Sequence, residues 1–339
     1  MRTIALLLLV LATGAAHGQQ VERMDPYDAV LAEQAAGAHR AYANRFARAL
    51  AASGEPRSLA YAALLRDADR ALHDDAGADA DLQSRKWRAL AFQRAGADIA
   101  TLAFLAAAAP VDDPTAQQAL ARWHRLQPDN AAPWMYANEV DATQLQAMTS
   151  LRRADFLLNE RLRWLIERHR ADPPTPAEGA ALYPGRDGMP ASLEGYVVAY
   201  AVGLLVPNPM SLQSGSVWHR CRAGSADRNM EAIRGCRVLA NALLGADNRL
   251  MEIVGAGLAR ELAPDASSQR AAEEASRRID WQTSALGRIP ATPQHDSEAA
   301  TVQAILDPAV SSERQVVEQQ LRAAGIPLDP PTGWRPQYR

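Results

Sequence analysis

Two cysteines, seven histidines and a few paired carboxylates are the residues of this chain whose side chains could do chemistry. Cys221 and Cys236 lie much farther apart than the two-residue spacing of a redox pair. If the chain is exported, the even count makes a structural disulfide between them the expected outcome, with two free thiols or a metal site recruiting His219 as the alternatives. The histidines at 39, 73, 124, 169, 219 and 295 are scattered, and none forms the His-Glu-x-x-His pair that puts two ligands on one helix face. They read as exposed or edge-of-core side chains. Asp74-Asp75, Asp112-Asp113 and Glu273-Glu274 pair carboxylates, but the first two lie at helix ends, where acids favour the following N-terminus. Ser214-Gly215-Ser216 lacks the strand-turn-helix setting of a nucleophile elbow, and no Asp-x-Asp-x-Asp-Gly calcium loop occurs. The sole lysine, Lys86, lies in none of the contexts of a P-loop, a Ser-x-x-Lys pair or a Schiff-base site. The residue types therefore assign no catalytic, cofactor-binding or metal-ligating position, and no cofactor.

Those side chains must be positioned by helices. The 339 residues are 48% hydrophobic but only 6% aromatic, with abundant alanine, a balance that suits close-packed helices and an all-α fold. A net charge of −3 argues against nucleic acid as a partner. Residues 1–18 carry Arg2, an apolar run over 4–12 and a small-residue exit at Ala15, Ala16, His17 and Gly18, which together read as a secretory signal peptide. Cleavage there would leave Gln19 first. No cysteine follows it to take a lipid anchor, and the apolar stretch 196–206 is too short to span a bilayer. The expected location is the bacterial periplasm, or else the medium.

Helix signals recur along the chain. Asp25-Pro26 starts a long amphipathic helix with the stripe Tyr27, Leu31, Ala35, Ala38, Tyr42, Phe46 and Leu50, ended by Gly54 and Pro56. Further helices are expected from Leu59 to Leu72 and over 82–94, 99–108, 143–151 and 155–170. Beyond the Pro/Gly-rich stretch 171–190 come 193–206, 227–244, 247–262, 267–282 and 311–324. Asp227 is the expected cap of a helix whose apolar stripe is Met230, Ile233, Cys236, Ala240 and Leu243. A Pro-rich tail, 325–339, carries Trp334, whose exposure would be costly enough to favour docking on the last helices.

Leu126-Gln127-Pro128-Asp129-Asn130-Ala131-Ala132-Pro133-Trp134 resembles the junction between successive tetratricopeptide repeats. Ala116, Ala119, Leu120 and Trp123 fit the helix before it, and Trp134 and Ala137 the helix after it, over roughly residues 116–140. Asn138 and Asp141 depart from the pattern. The resemblance implies antiparallel helix pairs in an α–α superhelix, with the first helix of each unit lining a groove. On that basis Trp134, Tyr136 and Asn138 are candidate partner-binding residues, and Arg152, Arg153, Arg161 and Arg163 a candidate basic cluster for acidic partners.

The expected organisation is a signal peptide (1–18), an N-terminal helical region (19–170), a linker (171–190), a C-terminal helical region with the disulfide (191–324) and the tail (325–339). The expected function is a non-catalytic scaffold for a protein or peptide partner in the cell envelope. The alternative is an envelope hydrolase whose site assembles only in the fold.

Overall fold

A computed structural model of the chain describes residues 26–72, 78–107, 113–185, 189–207, 215–222, 229–289 and 297–336. The expected signal peptide, the Asp25 and Asp227 caps, His73, His295 and Asp74-Asp75 lie outside these residues. The described fold is all-helical, with one isolated bridge between Asn130 and Arg153 as its only extended pairing. The helices run α1 Pro26–Ser53, α2 Pro56–Leu72, α3 Ala78–Arg94, α4 Ile99–Ala106, α5 Pro114–Leu126 and α6 Ala132–Met135. There follow α7 Ala142–Ala147, α8 Leu158–Ala171, α9 Pro176–Leu182, α10 Leu193–Leu205 and α11 Val217–Cys221. The last are α12 Met230–Leu243, α13 Arg249–Glu261, α14 Ala266–Leu286, α15 Ser297–Leu306 and α16 Glu313–Ala323. None is long and apolar enough to cross a membrane.

The chain divides into two compact units, neither of them continuous in sequence. The first comprises Met1–Pro110, Glu160–Leu205 and Pro290–Leu306, and the second the remainder. Where a linker was expected at 171–190, the first unit contains α9. The Thr175 hydroxyl accepts from the Glu178 backbone N–H, and the Glu178 carboxylate accepts in turn from the Thr175 N–H, a reciprocal capping box.

In the first unit Gly54, with φ +68°, ends α1 so that α2 can turn back along it. Residues 59–65 of α2 are buried throughout. Asp67 on α2 forms a buried ion pair with Arg88 on α3, and the Ser84 hydroxyl donates to Asp67 at 2.8 Å. An acid alone there would carry a heavy desolvation cost, so the three groups fix how the two helices face each other.

In the second unit the Pro-Asp-Asn-Ala junction is held by Asn130. Its buried amide donates to the Gln127 side chain and the Asp155 carbonyl, both at 2.9 Å, and accepts from the Ala132 and Asp155 N–H groups. Residues 152–155 are thereby drawn into extended pairing with 129–131, which is why α8 starts at Leu158 rather than near 155. The carboxylate of Asp247 accepts from the N–H groups of Phe156 and Leu158, flanking Leu157 in a left-handed conformation at φ +56°. Glu252, wholly buried, lies between Arg249 at 2.8 Å and Arg314.

The disulfide Cys221–Cys236 joins α11 to α12 with Cα atoms 5.5 Å apart. Asn229 caps α12; Cys236, Ala240 and Leu243 of the expected stripe are buried along with Ala232, Gly235 and Leu239, whereas Met230 is exposed and Ile233 half-buried. Gly235 permits the close approach of α12 to α7, because a Cβ there would fall on the Leu145 carbonyl. The tail docks within this unit. Trp281 on α14 donates to the Pro327 carbonyl at 2.8 Å, Gln282 to Leu328 at 3.1 Å, and Trp334 sits edge-on to Trp281.

Two helical glycines separate packing from propensity. Gly235→Ala should lower unfolding stability by about 2–3 kcal/mol in urea titrations, whereas Gly257→Ala, whose Cβ would meet nothing within 4 Å, should raise it by up to about 1 kcal/mol. Alkylation of the native, unreduced protein should label neither cysteine, and reduction should cost on the order of 3 kcal/mol for a 15-residue separation.

Candidate functional site

In the first unit, four helices bring together side chains that are far apart in the sequence. The face of α1 that buries Tyr42 and Phe46 also carries His39, at helical spacings of three and four. From α8 comes His169, from α10 the pair Tyr196 and Tyr200, and from α2 Tyr61. Phe46 stacks on the His169 ring at 4.0 Å, Tyr42 stacks on Phe46 at 5.5 Å, and Tyr61 meets His169 edge-on at 6.4 Å. His39 approaches Tyr200 edge-on at 4.3 Å and shares a 2.7 Å hydrogen bond with the Tyr196 hydroxyl. The Tyr196 and Tyr200 rings are parallel, 6.1 Å apart.

One pair fixes the proton positions at the centre. The Tyr42 hydroxyl lies 2.6 Å from His169 Nδ1 and 3.0 Å from the Asp172 carbonyl oxygen. A carbonyl can only accept, and a phenol has one proton, so that proton goes to Asp172. Both hydrogen bonds then coexist only if His169 carries its proton on Nδ1 and donates it to the Tyr42 oxygen. Nε2 is left as a bare lone pair. Burial, with a smaller contribution from His39, pulls the His169 pKa down to about 3, so the ring is neutral at physiological pH. Burial likewise pushes the hydroxyls of Tyr42, Tyr61, Tyr196 and Tyr200 up, Asp172 adding to the effect at Tyr42 and Asp69 at Tyr200. His169 and these four hydroxyls are therefore neutral at physiological pH.

The cluster's hydrogen bonding is incomplete. His169 Nε2, the Tyr61 hydroxyl and the Tyr200 hydroxyl are buried with no hydrogen-bond partner. Charged groups flank the cluster: Asp69 bears on Tyr200, and Arg45 donates to Asp172 and to Glu178, each at 2.9 Å. Slight burial works to raise Glu178, but the Thr175 N–H and the Arg45 guanidinium outweigh it and hold the carboxyl below its ordinary range. Among the described residues no group of three or more His, Cys, Asp or Glu could hold a metal ion.

The residues singled out from sequence lie elsewhere or do other work. Trp134, half-buried on the single-turn α6, faces His124 edge-on at 4.7 Å; its indole N–H and His124 Nδ1 are both buried without a hydrogen-bond partner. Tyr136 is buried between Trp123 and Phe156, and Asn138 is half-buried nearby in the chain. The four arginines do not form one exposed basic cluster. Arg152 and Arg153 belong to the second unit, where Arg153 pairs with Asp129 and Asp155 and only Arg152 is exposed. Arg161 and Arg163 belong to the first. Arg161 is fully buried over the Phe104 ring, donating to the Leu205 carbonyl, and Arg163 donates to the Ile305 carbonyl. His169, expected at an edge or in solvent, is a core residue.

The tyrosine–histidine cluster was not among the sequence candidates, although one signal for it existed. Of eight tyrosines in the chain, Tyr42, Tyr61, Tyr196 and Tyr200 fall on apolar helical segments that the first unit gathers. No protein-family model, curated protein or solved structure matches this chain, so a functional reading rests on its own residues.

The buried neutral ring makes stability depend on pH in a defined direction. Unfolded, His169 takes up its proton near pH 6.5; folded, only near 3. Its contribution is therefore complete above pH 6.5 and is lost as pH falls toward 3, the unfolded chain binding the extra proton, with a full span on the order of 5 kcal/mol. Denaturant unfolding of wild type and His169→Phe at a series of pH values should show a stability difference that shrinks as pH falls through this window; a constant difference would contradict it.

Proposed function

We propose that this chain is an exported protein of the bacterial envelope that binds a ligand or partner without transforming it. The observation that carries the reading is the tyrosine–histidine cluster of the first unit, in which three buried polar atoms have no partner. Native interiors rarely leave such groups unpaired, at about 1–3 kcal/mol each, unless something else supplies the missing bond. Neutral hydroxyls and a neutral imidazole are suited to hydrogen bonding and aromatic contact. Of the carboxylates nearby, Asp172 and Glu178 are engaged by Arg45 rather than poised for proton transfer.

Export is supported by the basic residue, apolar run and small-residue exit of 1–18, and the periplasm is the compartment that suits a Cys221–Cys236 disulfide. The α–α stacking implied by the tetratricopeptide resemblance is supported at the Asn130 turn, while the four-residue α6 is much shorter than a repeat helix. A protein or peptide partner in the envelope remains part of the proposal, with the half-buried Trp134 and its unpaired indole N–H as the contact to inspect.

The test is to recover the protein from its native envelope extract, read its N-terminus and analyse what it releases on denaturation. A chain starting at Gln19 that releases a bound molecule, and whose melting temperature falls when that molecule is stripped, is expected. A chain retained in the cytosol that carries nothing and has the same melting temperature after stripping would overturn the proposal.

A further inference from the structure

The C-terminal tail is held in the second unit by side chains of α14 that read its backbone. The Trp281 indole donates to the Pro327 carbonyl at 2.8 Å and the Gln282 amide to the Leu328 carbonyl at 3.1 Å, while Arg278 meets the Asp329 carboxylate at 2.7 Å. Pro327, Pro330 and Pro331 carry no backbone N–H, so such a segment cannot pair continuously as a strand and is recognised through its carbonyls. A turn closes it. The Trp334 N–H donates to the Pro331 carbonyl at 3.0 Å, Gly333 takes φ +80°, and the Trp334 ring returns to Trp281.

This contact differs from a core contact. No residue of 324–336 is buried, whereas Trp281 and Gln282 are. The donors are also set from behind, without the tail. An arginine can only donate, so the Gln282 amide oxygen faces Arg249, 2.9 Å away, and its NH2 is turned to the tail. Arg249 is itself fixed by Glu252 at 2.8 Å and by the Ile279 carbonyl at 3.0 Å. The tail leaves α16 through Gly325, at φ +68°, with no atom within 4 Å of where its Cβ would be. Arg278 and Arg288, the latter over the Trp281 ring at 4.9 Å, place two positive charges on this face, and the Asp280 carboxylate on the same helix is countered by Arg249 and Arg260.

We infer that this face of α14 is a recognition surface for proline-rich, non-helical peptide segments bearing an acid and a trailing aromatic, and that the chain's own tail occupies it in cis. The partner is a separate protein segment of that chemistry, which displaces the tail to bind. The surface lies in the second unit and does not depend on the tyrosine–histidine cluster, so the two readings stand or fall separately. Displacement requires the tail to open while the rest of the unit stays folded. In the intact mature protein the Trp281 indole N–H should then exchange with deuterium about a hundredfold faster than the slowest backbone amides of α12, after correction for intrinsic rates. Exchange as slow as theirs would make the tail part of the core and overturn the inference.

The direct test is NMR and calorimetric titration with a synthetic peptide of residues 326–339. The full-length Trp334→Ala variant, whose own tail has lost its aromatic contact, should bind it saturably below roughly 1 mM and shift the Trp281 indole resonance. Wild type should bind it about tenfold more weakly, because its tail competes at an effective concentration in the millimolar range. Trp281→Phe, added to the Trp334→Ala protein, keeps a ring, removes the indole donor and should weaken binding by about fivefold. Circular dichroism checks that both variants fold; if either does not, the exchange measurement on wild type still decides. No binding by the Trp334→Ala protein, equal binding of a scrambled peptide, or indifference to Trp281→Phe would sink the inference. Dimerisation of wild type that excess peptide dissociates would give the surface to a second copy of the chain and overturn the separate partner.

Discussion

The hydrogen bond between His169 and Tyr42 spans 127 residues of sequence, and the first unit is organised around it. Because the Tyr42 proton is committed to the Asp172 carbonyl, the imidazole must give rather than take, and its other nitrogen is left bare in a buried setting. The same tyrosine ties the interior to the rim. Asp172, whose carbonyl accepts from Tyr42, offers its carboxylate to Arg45, and Arg45 reaches on to Glu178 in the capping box of α9. A buried ring, a helix C-terminus and the short helix after it are thus positioned by one connected set of bonds.

Polar groups elsewhere in the molecule show what a purely structural role looks like. The Asn130 amide makes four hydrogen bonds, and the Asp247 carboxylate accepts two backbone N–H groups across the left-handed Leu157. Glu252 has an arginine on each oxygen. These groups cost desolvation, offset it with partners, and fix register. The tyrosine–histidine cluster bears the same kind of cost with three of its polar atoms left without a hydrogen-bond partner.

Much of the fold was legible from periodicity and punctuation. The stripe through Tyr42, Phe46 and Leu50, the glycine after α1, the Asp113-Pro114 start of α5 and the cysteine pair all speak locally. Docking of the tail follows from the cost of exposing Trp334. α9 was legible too, in Thr175-Pro176-x-Glu178, but the surrounding prolines pointed to a linker. The burial of Arg161 could have been suspected, since it shares a helix face with Leu158, Leu162 and Leu165. What no local pattern carries is the meeting of α1, α2, α8 and α10. Each contributes a tyrosine or histidine that, on its own helix, looks like ordinary core, and only long-range packing reveals that these rings meet and that their polar atoms are incompletely paired.

The protonation of one ring decides whether that convergence is a site. Nitrogen-15 NMR of histidine-labelled protein, with His169→Phe to assign the resonance, reads both ring nitrogens directly. A neutral His169 with its proton on Nδ1 and a bare Nε2, unchanged from pH 7 down to about pH 4 as burial dictates, is the expected result. A ring protonated on both nitrogens in that range, or carrying its single proton on Nε2, would contradict the arrangement of protons at the centre of the first unit.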